Sequence, residues 1–486
     1  MKKNVFIAIF AVLILPRFTN AQGLGSITGR VTDPGGAAVG GAQVTATQEG
    51  TGFARSAVTE TDGLYVIPSL NPAIYTLTVE AKGFSTAKQI AITLLADQTL
   101  TVNVALKLGS TTETVTVLSD ALQVDTSTST LKQVIEEQRI ADLPLNGRNA
   151  AQLTLLVAGA VNSPNGGADQ GATKTFPGAV TFSANGSRQN TISYQLDGGI
   201  YVDEYTNVNQ PFPFPDALQE FSVQTTNYSA EYGSNAGGVV NVITKSGTNK
   251  FHGDAFEFNR NPAFNAQNFF ATPTTPDRIK RNQFGGTLGG PIIHDKTFVF
   301  GGYQRTEFRN LVLGSQKVVG QTDITNFLSP KTAACPTCGA PTTAATGPAG
   351  VIDPAVATLL GIDPNTGAAL SSPKFSLAGS IPAGSNPTVP FSRPDTESFD
   401  SAMGRLDHSF SQTDKLTGRY EFDRFIKAAV FNPLLLISYS DATFAITAQN
   451  FLAHETHLFS PGLVNDFRFS YSREVSTAVQ GTTQRM

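Results

Sequence analysis

Apolar and polar side chains alternate along the second half of the chain, in segments of about ten residues. In residues 415–423 one face holds Leu416, Gly418, Tyr420 and Phe422, and the other holds Thr417, Arg419, Glu421 and Asp423. Residues 465–473 repeat the pattern, with aromatic side chains at 467, 469 and 471. Alternation is weaker in residues 251–260 and in 296–304, where Phe298 and Phe300 share a face. The pattern predicts strands with one apolar and one polar face, either in a transmembrane barrel or half-buried in a soluble sandwich.

The amino terminus has the pattern of a secretory signal peptide. Lys2 and Lys3 precede an apolar run over residues 5–15. The tripeptide Thr19-Asn20-Ala21 then resembles a signal-peptidase cleavage site. We expect residues 1–21 to be removed. The alternative is a membrane anchor, but a spanning helix needs about 20 apolar residues, which this run does not supply.

Residues 24–108 are short β runs separated by turns, which predicts about seven strands and a two-sheet sandwich. One predicted strand covers residues 57–61, and another covers 74–80 with Tyr75, Leu77 and Val79 on one face. The run GSITGRVTDPGGAAVGGAQVTAT and the following TETDGLYVIPSLNPAIYTLTVEAKGF resemble the carboxypeptidase regulatory-like domain, a transthyretin-like sandwich. That resemblance implies a module without a peptidase centre.

Residues 131–249 have a mixed α/β pattern with many Gly and Asn residues, including a helix predicted over residues 133–140. Three blocks follow in order: LPLNGRN, FSANGSRQNTISYQLDGG and PDALQEFSVQTTNYSAEYGSNAGGVVNVITKSGTN. Together they resemble the plug of the Oar-like branch of TonB-dependent receptors. The resemblance implies that residues 250–486 are the first part of an outer-membrane β-barrel, so the expected fold is mainly β with an α/β plug domain.

The linker between sandwich and plug, residues 109–130, contains an alternating segment that resembles a TonB box. Its residues are Glu113, Thr114, Val115, Thr116 and Val117. The resemblance implies that a TonB-type periplasmic energy transducer binds this segment by strand addition, through main-chain hydrogen bonds. It also implies an outer-membrane protein of a Gram-negative-type bacterium that contacts lipid and takes up a glycan, siderophore, peptide or other solute by plug displacement. The rival hypothesis is a surface-exposed β-sandwich adhesion protein that binds carbohydrate without transport.

Two dipeptides in the plug are strong tight-turn signals, Asn185-Gly186 and Asp197-Gly198. For Asp197, Arg148 and Glu231 we expect turn geometry and salt links within the plug rather than direct contact with a ligand. Ligand identity, direction of transport and oligomeric state are left open by the sequence.

A long extracellular loop is expected over residues 329–394, which are rich in Pro, Gly, Ala and Thr. Cys335 and Cys338 lie in this loop, where we favour a local disulfide, although the sequence does not decide whether it forms; a zinc site would need two further ligands, and none lies nearby. Residues 250–486 are too few to close a barrel of roughly 22 strands. The sequence is therefore expected to be incomplete, or to be a truncated product.

Composition and motifs argue against nucleic-acid binding and catalysis. The net charge is −4, the pI is near 5.8, and the sequence contains no stripe of basic residues that could follow the phosphates of a nucleic acid. The segment His454-Glu455-Thr456-His457 is one residue short of the zinc-protease motif and lies in an alternating strand pattern. We expect no catalytic, cofactor-binding or metal-binding residues, no cofactor, and a protein that is not an enzyme.

Overall fold

The computed structural model describes residues 23–109, 114–118, 129–162, 182–203, 207–229, 232, 235–264, 266, 278–317, 320–330, 332, 349–354, 357, 362–368, 383–384, 388–428, 443–460 and 462–479. The fold is mainly β, as predicted. It contains a sandwich, a plug and an open barrel sheet, taken here in chain order.

The sandwich strands are β1 (Gly25–Thr32), β2 (Gln43–Gln48), β3 (Ala54–Val58), β4 (Leu64–Leu70), β5 (Ala73–Glu80), β6 (Thr86–Leu94), β7 (Thr99–Thr101) and β8 (Val104–Ala105). One sheet has the order β4-β1-β7, with β8 also paired to β1, and the other begins β3-β2-β5-β6. Tyr75, Leu77 and Val79 are buried between the sheets, as their alternation predicted. The strand predicted at 57–61 lies three residues earlier, because residues 54–58 pair with β2.

The linker contributes one more strand, β9 (Thr114–Leu118), at the edge of the second sandwich sheet. It runs parallel to β6, with Thr114 opposite Thr86 and Leu118 opposite Ile90. In the part of the chain that the structure describes, no strand pairs with the outer edge of β9. This edge therefore presents main-chain groups available for pairing.

The plug is built on a five-stranded mixed sheet with the order β10-β17-β18-β13-β14. Its elements are β10 (Leu131–Glu136), α1 (Glu137–Asp142), β11 (Ala160–Asn162), β12 (Phe182–Ala184), β13 (Ile192–Leu196), β14 (Gly199–Ile200), β15 (Val202–Asp203), β16 (Val208–Asn209), β17 (Leu218–Thr226) and β18 (Gly238–Thr244). Several 3₁₀ turns connect them. The central strand β18 is buried along its whole length.

The helix predicted over residues 133–140 begins later than expected, and its first half is wrong. Residues 131–136 form β10, and only residues 137–142 are helical. Ile135 is fully buried and lies opposite Phe221 of β17. Pairing with β17 therefore overrides the local helix propensity.

In the part of the barrel region that the structure describes, the sheet contains seven antiparallel strands in sequence order. They are β19 (His252–Arg260), β20 (Lys280–Ile293), β21 (Thr297–Lys317), β22 (Thr388–Ser409), β23 (Asp414–Lys427), β24 (Thr443–Ser460) and β25 (Leu463–Val479). A second helix, α2 (Gln321–Leu328), follows β21. Within the described residues the sheet is open, with β19 and β25 at its edges.

The two faces of the barrel strands are those that the alternation predicted. On β23 the polar side chains at 417, 419, 421 and 423 are buried against the plug, whereas Leu416 and Tyr420 are exposed. On β25 the aromatic side chains at 467, 469 and 471 are more than half exposed. Phe298 and Phe300 also share a face, which is turned toward Phe214 and Ala217 of the plug. No helix in the described ranges is long and apolar enough to cross a membrane.

The end of the predicted loop is wrong, because residues 388–394 belong to β22. They pair with residues 311–317 of β21. Among the described residues, β23 pairs with β22 from Glu397 onward, so residues 388–395 have no described strand on that side. Pro390 and Pro394 are tolerated there because proline, which cannot donate to the ladder, is accommodated at a sheet edge.

Candidate functional site: the plug and barrel interface

A group of buried charges joins the plug to the barrel wall. Asp197 of the plug lies between two barrel arginines, with Oδ2 2.7 Å from Nη1 of Arg419 and Oδ1 3.3 Å from Nη1 of Arg405. Arg405 also contacts Asp407 Oδ2 at 2.8 Å through Nε, and Lys415 Nζ lies 3.8 Å from Asp407 Oδ1. These five residues are called the ion cluster below.

Local structure holds Asp197 in place. It occupies the first position of a tight turn with φ 51°, followed by Gly198 with φ 74°, as the dipeptide predicted. Thr244, at the end of β18, donates to both carboxylate oxygens through its amide and hydroxyl, each at 2.9 Å. Its carbonyl accepts from Arg405 Nη1 at 2.9 Å. The end of the central plug strand is therefore bonded to the same arginine as the turn.

The ion cluster favours the charged form of Asp197. Burial by itself raises the pKa of this carboxyl, but the charges of Arg405 and Arg419 and the hydrogen bonds from Thr244 outweigh burial, so the pKa lies below its ordinary value. Asp407 is held in a comparable way, accepting from Ser246 of the plug at 2.8 Å and from Thr417 at 2.7 Å. Removal of one partner from a buried ion pair of this kind strongly destabilises the folded protein, because the other charge is left buried without compensation.

Above the ion cluster, on the side away from the sandwich, lies a cavity of about 260 Å³ between plug and barrel wall. We call it the outer cavity. The plug lines it with Asn146, Arg148 and Asn209, among others, and the barrel with residues that include Gln304 and Ser401. Amide, hydroxyl and guanidinium groups beside phenylalanine rings give it the mixed character of a solute-binding surface.

The LPLNGRN block of the plug forms one wall of the outer cavity. Gly147 has φ 68°, and a Cβ there would lie 2.5 Å from Nη1 of Arg281. Its carbonyl accepts from Gln283 Nε2 at 2.9 Å. Arg148 forms an ion pair with Asp216 and lies over Phe258, 4.1 Å from the ring centroid. The glycine therefore supplies a left-handed backbone conformation at the point where the plug main chain bonds to the barrel.

A second junction joins the sandwich to the plug. The turn between β6 and β7 enters the plug sheet, where Glu220 Oε2 accepts from the amide of Ala96 at 2.9 Å and Lys132 donates to the Ala96 carbonyl. Asp97 accepts from Asn241 Nδ2 at 3.1 Å. The sandwich also reaches the barrel rim, where Gly50 O accepts from the amide of residue 249 at 2.9 Å. The sandwich is therefore docked on the same mouth of the barrel to which the linker leads.

Docking of the sandwich on the plug should weaken as the pH rises from about 4.5 to about 7. Burial raises the pKa of Glu220 from 4.5 to about 7, although the Ala96 amide and the Lys132 charge oppose this. The docked carboxyl holds its proton more tightly than the free one, so stability is highest below the free pKa and falls by about 3 kcal/mol up to the docked pKa. Calorimetry should show this slope in the wild type and not in Glu220→Gln. The exposed Glu60→Gln variant should keep the slope, and an unchanged slope in Glu220→Gln would contradict the assignment.

The predictions of turn geometry and salt links within the plug have different outcomes for the three residues concerned. Arg148 pairs within the plug, as expected. Asp197 has the expected turn, but its charged partners lie on the barrel rather than in the plug, so that part of the prediction is wrong. Glu231, Cys335, Cys338 and the signal peptide lie outside the described residues.

The segment predicted to bind the transducer is described only in part. Residues 114–117 lie in β9, and Glu113 is outside the described residues. The His454–His457 segment is barrel strand, as expected. His454 faces inward, 2.9 Å from Asp466, whereas His457 lies on the other face. Ligand atoms of Asp414, Glu455 and His457 lie within 4.8 Å of one another, but these side chains are half exposed, and His457 forms an ion pair with Asp414 at 3.5 Å.

Sequence reasoning missed the barrel half of the ion cluster. Arg419 was placed on the polar face of its strand, but Arg405, Asp407 and Lys415 were given no role. A signal was present, since these residues all lie on strands that alternate. Charged side chains on the inward face of a barrel strand need partners within the lumen.

Two family matches cover most of the chain. Residues 243–485, half of the chain, match the family described as outer membrane beta barrel domain. Residues 26–107 match the carboxypeptidase regulatory-like domain.

Known proteins are similar over part of their length. The chain is 30% identical over 278 residues to the TonB-dependent transporter Oar of Myxococcus xanthus, covering 54% of this chain and 24% of that protein. A ferric enterobactin receptor of Pseudomonas aeruginosa is 13% identical, with a TM-score of 0.42 over 72% of this chain and 42% of its own. The outer membrane transporter YddB of Escherichia coli is 9% identical, with a TM-score of 0.41 over 68% of this chain and 37% of its own. The chain thus spans about a quarter of the curated relative. It belongs to the outer-membrane β-barrel family, and it carries an N-terminal segment that matches the carboxypeptidase regulatory-like domain.

Proposed function

We propose that this protein takes up a large or scarce solute across the outer membrane, by displacement of the plug with energy from a periplasmic transducer. The observation that carries the proposal is the ion cluster, which attaches the plug to the barrel through side chains and not through the main-chain ladder. Ion pairs between two separate bodies can break and re-form without unfolding either body. The plug can therefore leave the barrel wall while its own sheet stays intact.

The linker strand β9 supplies a place for the transducer to bind. We propose that residues Glu113, Thr114, Val115, Thr116 and Val117 form the binding segment. The open outer edge of β9 supports this, because an exposed strand edge can accept a further strand through main-chain hydrogen bonds. Since β9 is also paired with β6, a pull on this segment would load the sandwich as well as the plug.

The outer cavity is the proposed entry point for the solute. It lies on the opposite side of the ion cluster from the sandwich, and plug and barrel both line it. A solute bound there would contact the two bodies that have to separate. A glycan, siderophore or peptide would each find hydrogen-bonding groups and apolar rings in such a wall.

Solute depletion from the medium tests the proposal and identifies the solute. We expect mass spectrometry of spent culture medium to show one class of solute left unconsumed by cells lacking this gene. Cells lacking the transducer should leave the same class unconsumed, because uptake needs both. Depletion that continues without the transducer, or that is unaffected by loss of the gene, would contradict the proposal.

A further inference from the structure

The inner face of the barrel sheet buries two carboxylates beside the ion cluster. Glu421 and Asp423 lie two residues apart on β23, and each is only 1% exposed. None of their four carboxylate oxygens has a hydrogen bond of good geometry among the described residues, and the groups nearest to them are the hydroxyls of Tyr201 and Ser401. An ionised carboxylate without a partner is strongly destabilised in a dry interior, so this pair must either hold protons or have a balancing positive charge.

The neighbouring cations already have other partners. Arg419 pairs with Asp197 through Nη1 and donates to Asn450 Oδ1 through Nη2. Arg405 and Lys415 are directed to the remaining ion-cluster carboxylates, at the distances given above. The positive charges of the ion cluster are therefore already paired with Asp197 and Asp407, and the charge of Arg419 also acts on Glu421.

Two further acids lie at the interface between plug and barrel. Asp203 of the plug is buried, and it lies close enough to Glu474 of β25 for their charges to repel each other. Without these two acids, three cations, Arg405, Arg419 and Lys415, still face four carboxylates, Asp197, Asp407, Glu421 and Asp423.

Oxygen atoms surround the pair. Ser401 lies directly opposite Asp423 on β22, is 2% exposed, and its hydroxyl lies beside the Asp423 carboxylate. Tyr201 of the plug lies near both carboxylates, and its hydroxyl donates to Pro211 O at 2.5 Å, which leaves its oxygen free to accept. Ser401 also lines the outer cavity, so the site adjoins that cavity.

We propose that Glu421 and Asp423 bind a hard divalent cation, Ca²⁺, where the plug meets the barrel wall. Ca²⁺ takes six to eight oxygen ligands, and carboxylates can bind it through one or both oxygens. Its charge balances the two carboxylates. Zn²⁺ prefers nitrogen and sulfur ligands, and Mg²⁺ gives up its water reluctantly, so the all-oxygen surroundings favour Ca²⁺. Bound there, the ion would link β23 to Tyr201 of the plug.

Calcium binding by the protein purified from outer membranes in detergent tests this inference. After treatment with EDTA, equilibrium dialysis against CaCl₂ should load the wild type with one ion per chain and raise its unfolding temperature. The Glu421→Gln/Asp423→Asn double variant should bind no ion at this site, and Ca²⁺ should not change its unfolding temperature. The exposed barrel carboxylate of Glu257 provides the matched control, and Glu257→Gln should behave as the wild type.

The order of the two unfolding temperatures provides a sharper criterion. In EDTA the double variant should unfold at a higher temperature than the wild type, because it has lost two buried repelling charges; in Ca²⁺ the order should reverse. A wild type that binds no Ca²⁺, or a double variant that binds as much, would overturn the proposal. So would a double variant that is more stable in both conditions, since Ca²⁺ would then not compensate for the repulsion within the pair. If the double variant does not fold, each single substitution should lower Ca²⁺ affinity at least tenfold, and unchanged affinity in both would overturn the proposal. Transport is not measured, so the outcome is independent of the proposed uptake.

Discussion

Replacement of Asp197 by Asn should weaken the attachment of the plug to the barrel by about 3–5 kcal/mol. The substitution leaves Arg405 and Arg419 buried without their shared counter-charge. It should not disturb the turn, because Asn adopts the left-handed conformation as readily as Asp. The loss of attachment free energy therefore measures the contribution of the Asp197 charge and not a change in backbone conformation. Limited proteolysis of the plug in detergent, at increasing denaturant, measures the change.

Asp295 provides the matched control for this prediction. It is another aspartate with positive φ, 60°, but it lies exposed on a turn at the barrel rim. Asp295→Asn removes the same charge without leaving a buried arginine, so we expect a change within about 1 kcal/mol. Equal effects of the two substitutions would mean that Asp197 acts only as a turn residue.

Deletion of residues 113–117 should abolish capture of the protein by the purified periplasmic domain of the transducer. The proposed contact is made by main-chain groups of this segment, so no other part of the linker can replace it. We expect at least a hundredfold loss of affinity in a pull-down or titration. The plug and sandwich should keep their unfolding temperatures, because β9 is an edge strand.

A deletion of equal length elsewhere in the linker distinguishes loss of the binding segment from shortening of the linker. Removal of residues 120–124 shortens the connection by the same five residues and leaves β9 intact. Capture by the transducer domain should then stay within a few fold of the wild type. Equal loss in both deletions would show that length, not the segment, is what the transducer requires.

The faces of the barrel strands could be predicted from sequence because the strand period is two residues. One side of such a strand meets lipid and the other meets the plug, so polar and apolar positions separate cleanly. That is why the buried positions 417, 419, 421 and 423 were assigned correctly. The two-sheet sandwich was predictable for the same reason, since its strands bury one face against the other sheet.

The ion cluster could not be predicted as a site, because its partners are distant in sequence. Arg405 and Arg419 follow Asp197 by 208 and 222 residues. Alternation places an arginine on the inward face of a strand, but it does not specify which plug turn that face meets. The register of β22 and β23 against the plug decides this, and it depends on packing across the whole interface.

Local patterns failed where tertiary pairing overrides them. Residues 133–136 are helix-capable, yet pairing with β17 and burial of Ile135 make them a strand. Residues 388–394 contain two prolines and read as loop, yet the hairpin formed with β21 extends through them. In both cases a distant strand supplies hydrogen bonds that a window of local sequence does not contain.

Accessibility of the barrel wall behind the plug tests transducer-driven plug displacement most directly. Met403 is 6% exposed and lies beneath Phe214 and Ala217 of the plug. With Cys335 and Cys338 replaced by Ser, a Met403→Cys variant should react with a bulky membrane-impermeant thiol reagent in growing cells only when the energised transducer is present. Thr396→Cys, at an exposed position of the same strand, should react in every case. Equal reaction of Met403→Cys with and without the transducer would contradict energy-driven displacement, as would no reaction while the solute is being consumed.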